Sequence, residues 1–367
     1  NLTNKERIML NKAFDKKLIS TYGNFQEKFE KEFKKIKKFK YCISLNSGTS
    51  ALQLALNVEG IKKDDLVILP SYTFAATANS IIYNGAKPWF FDINKKNLCL
   101  DLKQVELTLS KDTFKKGKFH YHKKTKQRIF GILIVLSFGI VPDLNYLKLL
   151  KSKFNLKVIL DAAAAHFSNS KNKISNYDFI TCYSFNGNKN ITSGGGGMLC
   201  TNNIKKFEIV KIKSNVGKKN KYEYSNIGYN YRLTNLNASI GYAQLKRFLS
   251  LKIKKYQINS YYNNNIKLKY VEKNKFNKFK LESIWIYYLI LKKKNYLVKI
   301  IEFLKKKNIE CGKFWVPLHT QKPYKKYLSE KMESTNLIFD KLIVIPSSTF
   351  LKKIDLKYIV EKINSFS

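Results

Sequence analysis

Short apolar runs of β-branched and aromatic residues alternate along this chain with stretches whose apolar residues recur every three or four positions. Tyr41 to Leu45, Leu66 to Pro70, Trp89 to Ile93, Ile129 to Leu136, Val158 to Asp161 and Phe179 to Phe185 predict strands. Between them, Glu6 to Ser20, a segment entered at Asn46 and running through Leu56, Asp143 to Phe154, and Asn237 to Phe248 predict helices. Phe25, Phe29 and Phe33, spaced by four after the turn Thr21 to Asn24, predict one aromatic stripe facing the core. Repeated strand–helix units predict an α/β fold, a mostly parallel central sheet with helices on both faces. Beyond about Leu251 lysine and asparagine rise, with a strand over Ile284 to Leu291 and a helix over Val298 to Lys307. The expected division is a large domain over 1–250 and a smaller C-terminal α+β domain over 251–367. From Asp101 to Arg128 the chain reads as basic and loop-like, with His120 and His122 as surface residues.

Composition sharpens this picture at three points. A hydrophobic share of 44% over 367 residues suits a folded chain with two substantial cores. Five scattered cysteines without Cys-x-x-Cys spacing speak against a zinc site or a secreted disulfide framework, so no metal is expected. The longest apolar run, Ile129 to Val141, is too short to span a membrane, and no signal peptide is visible, so a cytoplasmic location is expected. The chain begins at Asn1 without a methionine, and leading residues are expected to be missing. The net charge of +43 suggests a nucleic-acid binder, but lysines are spread through every segment and arginine stands only at Arg7, Arg128, Arg232 and Arg247. That spread reads as compositional drift. It would still attract an anionic nucleotide.

The candidate chemistry lies between Cys182 and Met198, where a strand breaks into polar chain around Lys189 and then four glycines, Gly194 to Gly197. Alone, Lys189 is a solvated lysine on a turn. Upstream, Val158 to Leu160 deliver Asp161 to a strand end, followed by an alanine series suited to a helix start. Alone, Asp161 is a helix cap. Strands about 4.8 Å apart would bring both groups to one small ring. A carboxylate for a pyridinium nitrogen and a lysine for an aldehyde are what pyridoxal phosphate requires. Asn46 to Leu52, rich in small residues at a helix start, offers amides and a dipole end to a phosphate. Phe74 sits at another helix entry, able to lie over a ring or to join the core.

Taken in order, Gly23-Asn24-Phe25, Ser47-Gly48-Thr49, Thr73 to Thr77, Gly85 to Pro88, Asp161-Ala162-Ala163, Ser184 to Lys189, Gly228 to Leu233 and Ile345-Pro346-Ser347 resemble the DegT/DnrJ family of sugar-nucleotide aminotransferases, which are fold type I pyridoxal-phosphate enzymes. The resemblance implies that Lys189 carries the cofactor as a Schiff base and shuttles a proton. It further implies that Asp161 holds the ring nitrogen protonated and that Phe74 stacks on the ring. Gly48, Thr49 and Ser184 would take the phosphate, with Asn230 reaching it from the other subunit of a homodimer with shared sites. Trp315 and His319, within Trp315 to Gln321, would meet substrate. The wording of that segment and of Ser184 to Lys189 is most similar to the branch acting on UDP-linked 4-keto-6-deoxy-hexosamines, of the bacillosamine and legionaminic acid type. The implied reaction moves an amino group from an amino acid, L-glutamate by resemblance, to a keto group of a nucleotide sugar in surface glycan synthesis. Lys189 speaks against the dehydratase variant, which has histidine there. Ala164, Leu136 and Gly312 stand where family members usually carry Glu or Gln, His, and Arg. They motivate the alternative of a catalytically impaired or regulatory member; the distant alternative is a basic nucleic-acid binder.

Overall fold

The computed structural model describes residues 2–168, 173–272 and 285–366. Helix α1 (Asn4–Asp15) starts at a capping box in which Thr3 and Glu6 satisfy each other's backbone groups. It stops short of the expected Ser20 because Lys17 turns left-handed, at φ 55°. Helix α2 (Phe25–Lys37) buries Phe25, Phe29 and Phe33 as expected. Then follow β1 (Tyr41–Leu45), α3 (Gly48–Val58), β2 (Leu66–Pro70), α4 (Ala75–Ile82) and β3 (Lys87–Phe91).

The stretch expected to be a loop is instead helix α5 (Leu102–Asp112) and a hairpin, β4 (Thr113–Lys116) with β5 (Phe119–His122). Asp101 caps α5 by accepting from the amides of Lys103 and Gln104, and Leu102, Val105 and Leu109 face the core. His122 is likewise not a surface residue: it is buried edge-on against Trp89, ring centroids 5.0 Å apart. His120 is half-buried against Phe154.

Beyond these lie β6 (Ile129–Val135), α6 (Leu144–Lys153), β7 (Lys157–Asp161), β8 (Ile180–Ser184), β9 (Gly197–Thr201) and α7 (Ile204–Ser214). A small hairpin, β10 (Lys218–Asn220) and β11 (Glu223–Tyr224), precedes α8 (Asn235–Lys246) and α9 (Phe248–Asn265). The remainder comprises β12 (Tyr287–Ile290), α10 (Asn295–Lys306), β13 (Leu328–Ser329), α11 (Glu333–Phe339), β14 (Leu342–Ile345) and α12 (Lys353–Asn364). Ile284, the expected first residue of the β12 strand, lies outside the described residues.

The central sheet has the order β1-β9-β8-β7-β6-β2-β3-β13. Only β9 runs against its neighbours, and the other pairings are parallel. Every residue of β2, β6 and β8 is buried, as strands covered on both faces must be. Successive side chains alternate between two apolar clusters: Leu66 and Ile68 join one, Val67 and Leu69 the other. A third cluster gathers Ile258 through Phe366 around the antiparallel pair β12–β14.

On one face, Phe29 and Phe33 meet Phe185 and Tyr183 edge-on, with centroids 4.8 to 5.4 Å apart. These rings hold the strand that leads into Lys189. Phe33→Ala should therefore cost about 3–5 kcal/mol. Urea unfolding should show this as a lower midpoint at unchanged slope, whereas a loss below about 1 kcal/mol would mean that α2 is not what holds β8.

Candidate active site

The site begins with a carboxylate taken out of water. Asp161 ends β7, opposite Val135 of β6 and Cys182 of β8, and is buried. Its Oδ2 accepts from Thr77 Oγ1 at 2.8 Å, and its Oδ1 from the Ala163 amide at 3.1 Å. Thr77 Oγ1 in turn lies 3.0 Å from Thr73 Oγ1. Desolvation pushes the Asp161 carboxyl up, against the Thr77 and Ala163 hydrogen bonds and the charge of Lys189. The alanine series after it does not start a helix; Ala162 to Ala165 form turns, so Asp161 caps none.

Strand β8, adjacent and parallel, ends at Ser184, and the chain then turns so that the Lys189 amide reaches the Asn186 carbonyl at 2.9 Å. Lys189 is half-buried, with Nζ 3.8 Å from the centroid of the Trp285 ring. Burial pulls its amine down to about 8, and the Asp161 charge works the other way. Behind it, the Phe185 carbonyl accepts from the Ser193 amide at 3.0 Å and Thr192 Oγ1 at 3.2 Å, which folds the glycine loop back on the strand end. A Cβ on Gly197 would come within 2.2 Å of the Ser47 carbonyl oxygen. Glycine there lets the start of α3 press directly onto β9.

That start is the third part of the site. Ser47 caps α3 by accepting from the Ser50 amide at 3.0 Å. The Gly48 and Thr49 amides belong to the first turn, where the helix itself offers no acceptor. A Cβ on Gly48 would stand 2.8 Å from Ser184 Cβ, so only glycine brings the Ser184 side chain this close to those amides. Two amides, a hydroxyl and a helix dipole suit a phosphate dianion. A buried carboxylate suits a protonated ring nitrogen, and an amine held near neutrality suits an aldehyde. These residues could therefore hold pyridoxal phosphate.

The other expected site residues are placed less uniformly. Phe74 is the N-cap residue of α4 and stays 62% exposed, so it is not part of the core. Asn230 is exposed; its carbonyl accepts from Asn46 Nδ2 at 3.4 Å, and its backbone bridges Asn215. Trp315, at φ 52°, packs with Tyr72, Phe138, Trp285 and Phe314. His319 Nδ1 lies 2.6 Å from Ser71 Oγ, and desolvation lowers its pKa. Leu136 and Ala164 are buried, while Gly312 bridges Val344 on the wall of a cleft of about 660 Å³. Lys189, Trp285 and Lys255 line that cleft too. No group of three or more His, Cys, Asp or Glu side chains among the described residues could hold a metal.

Thr77, within the Thr73 to Thr77 motif but without a role, and Trp285 and Lys255, outside every motif, were not among the expected site residues. Thr77 was within reach, because its spacing of four from Thr73 on a helix start puts both hydroxyls on one side. Trp285 and Lys255 arrive from distant sequence and carry no local signal.

The model of the DegT/DnrJ/EryC1/StrS aminotransferase family matches residues 1–364. GDP-perosamine synthase of Escherichia coli O157:H7 is 32% identical over 371 aligned positions, covering 100% of this chain and 96% of that protein. UDP-4-amino-4,6-dideoxy-N-acetyl-beta-L-altrosamine transaminase of Campylobacter jejuni is 28% identical, covering 100% of this chain and 95% of that protein. The crystal structure of a DegT DnrJ EryC1 StrS aminotransferase from Brucella abortus superposes with a TM-score of 0.87 at 22% identity, covering 98% of this chain and 94% of that one. The chain belongs to the DegT/DnrJ/EryC1/StrS aminotransferase family, as a sugar aminotransferase whose cofactor is pyridoxal phosphate.

Proposed function

We propose that the chain transfers an amino group from L-glutamate to the keto carbon of a UDP-linked 4-keto-6-deoxy-hexosamine, for the synthesis of a surface glycan. The observation that carries the amine transfer is the meeting of Asp161 and Lys189 at the ends of adjacent parallel strands, beside the start of α3; the UDP-linked sugar rests on the likeness to the UDP-sugar transaminase. Pyridoxal phosphate supplies an aldehyde that takes up the amino group and a ring that accepts the electron pair freed at the neighbouring carbon. The chain does the rest. Gly48, Thr49 and Ser184 bind the phosphate, and Asp161 keeps a proton on the ring nitrogen by its charge. Lys189 Nζ holds the proton taken from one carbon and returns it to another. The Thr77 hydroxyl keeps Asp161 oriented. The exposed face of Phe74 is free to lie over the ring. Trp315 and His319 stand toward the substrate.

The GDP-perosamine synthase relative, at 32% identity against 28% for the UDP-sugar transaminase, favours a second reading with a GDP-linked keto sugar. Incubation with glutamate and a panel of UDP- and GDP-linked 4-keto and 3-keto sugars separates the two. Product with the UDP-linked 4-keto sugar is expected, and none from Lys189→Ala with any member of the panel. Turnover of the GDP sugar alone would transfer the assignment to the second reading, and a Lys189→Ala variant near wild-type rate would remove Lys189 from the site.

Asp161→Asn keeps the shape of the side chain and removes its charge. The cofactor should stay bound while amine transfer slows by about a hundredfold or more. A rate within threefold of wild type would make Asp161 a structural residue only.

The functional unit is a homodimer in which Asn230 serves the neighbour's phosphate. The exposed side chain of Asn230 supports this, as does the apolar surface around it, where Ile227 is 96% exposed. An isologous contact would complete two identical sites at once. Mixing Lys189→Ala with Asn230→Ala subunits should restore activity, because one site of each hybrid is then intact. No recovery despite proven subunit exchange would place Asn230 outside the neighbour's site.

A further inference from the structure

Lys255 is only 4% exposed in the middle of α9, on the wall of the cleft that holds Lys189. Its ammonium group meets three oxygens: the Trp285 carbonyl at 2.6 Å, the Ser347 carbonyl at 2.6 Å and Ser347 Oγ at 3.3 Å. Three donors on one nitrogen match those three acceptors. Burial pulls the amine down to about 7, and no carboxylate contributes to the shift. A cation this deeply desolvated is costly to keep, whereas a hydrophobic residue would fill the same volume.

The contacts lead toward the reacting amine. Trp285, held through its carbonyl by Lys255, donates from Nε1 to the Asn188 carbonyl at 3.2 Å, and its ring lies 3.8 Å from Lys189 Nζ. Ser347 Oγ also accepts from the Tyr287 amide at 3.1 Å, and Tyr262, one face of α9 further along, donates to the Pro346 carbonyl at 2.7 Å. Helix α9 is thereby tied to the Trp285 segment and to the Pro346–Ser347 segment, both on the cleft wall.

We infer that Lys255 is a positioning residue that acts through Trp285: it fixes the indole so that its face seats the ammonium of Lys189 and its N–H pins the turn on which Lys189 stands. The ring favours the charged amine by its quadrupole. Lys189 also faces Asp161, the buried His166 feels its charge, and Glu310 and Lys313 stand on the same cleft wall.

The inference rests on Lys189 being the reactive amine of the site, yet its test needs no turnover. In the cofactor-free full chain, the pH dependence of Lys189 labelling by an acylating reagent, followed by mass spectrometry, reads the titration of that one amine. Trp285→Leu and Lys255→Met should each shift its midpoint down by about half a pH unit or more, while Lys255→Arg shifts it less. Trp285 emission, measured in a chain with Trp89 and Trp315 replaced by phenylalanine, should move on Lys255→Met. An unchanged midpoint in Lys255→Met overturns the inference, as does one in Trp285→Leu, even where melting temperature falls. If Lys255→Met does not fold, Ser347→Ala, which removes one of the three acceptors, must lower the midpoint in the same direction, and an unchanged midpoint there overturns it equally. Failure of the proposed reaction would instead appear as wild-type activity in Lys189→Ala, an outcome on which this titration does not depend.

Discussion

A carboxylate buried between two parallel strands needs a cation, and the site of this protein is arranged around that requirement. Among the described residues Asp161 has only the Thr77 hydroxyl and the Ala163 amide as donors, and its charged form is held against desolvation. Two neutral hydrogen bonds offset only part of such a penalty. The parallel sheet decides where the remaining compensation can come from. Because β7 and β8 run the same way, their C-terminal ends open on the same side, and the chain leaving β8 delivers Lys189 beside Asp161. Neither group pairs with the other closely enough to neutralise it. A protonated ring nitrogen on one and a carbonyl carbon on the other would resolve both costs together.

Close backbone packing supplies the rest. Gly48 against Ser184 and Gly197 against Ser47 bring β1, β8 and β9 together at the entry to α3, so the start of that helix and the lysine turn share one support. The aromatic rings of α2 brace that support from the opposite face. The lysine-rich composition acquires a structural meaning here as well. Most lysines serve as surface charge, but Lys255 and Lys37 are held near 7 by burial, Lys37 over the rings of Tyr183 and Phe248. Burial depresses their amines at least as far as that of Lys189, so a low pKa by itself does not single out Lys189. Among the described lysines only Lys189 stands beside the buried Asp161 at the end of β8, next to the start of α3.

Much of the fold was legible because buried parallel strands leave an unbroken run of β-branched and aromatic residues, as in Leu66 to Pro70 and Ile129 to Val135. Asp161 was legible as a carboxylate at a strand end and Gly48 as part of a small-residue helix start, while Ser184 entered only through the family resemblance. Other features were hidden by local chemistry. The core-facing spacing of Leu102, Val105 and Leu109 is masked by the lysines around and after it, so α5 reads as loop. The alanines after Asp161 favour a helix by propensity, yet the Asp161 carboxylate takes the Ala163 amide and the chain turns instead. Trp285 and Lys255 could not be read at all, since nothing within their own neighbourhoods points to Asn188 or Lys189. Their meaning comes from tertiary contact across more than one element.

The central claim is that one amine among many, chosen by position and not by basicity, reacts with the cofactor. Reducing the pyridoxal-phosphate-loaded protein with borohydride and mapping the added mass by peptide sequencing tests it directly. The account predicts a single pyridoxyl label, on Lys189, with Lys37 and Lys255 unmodified despite their depressed amines. A label on Lys255, on Lys37 or spread over surface lysines would contradict it.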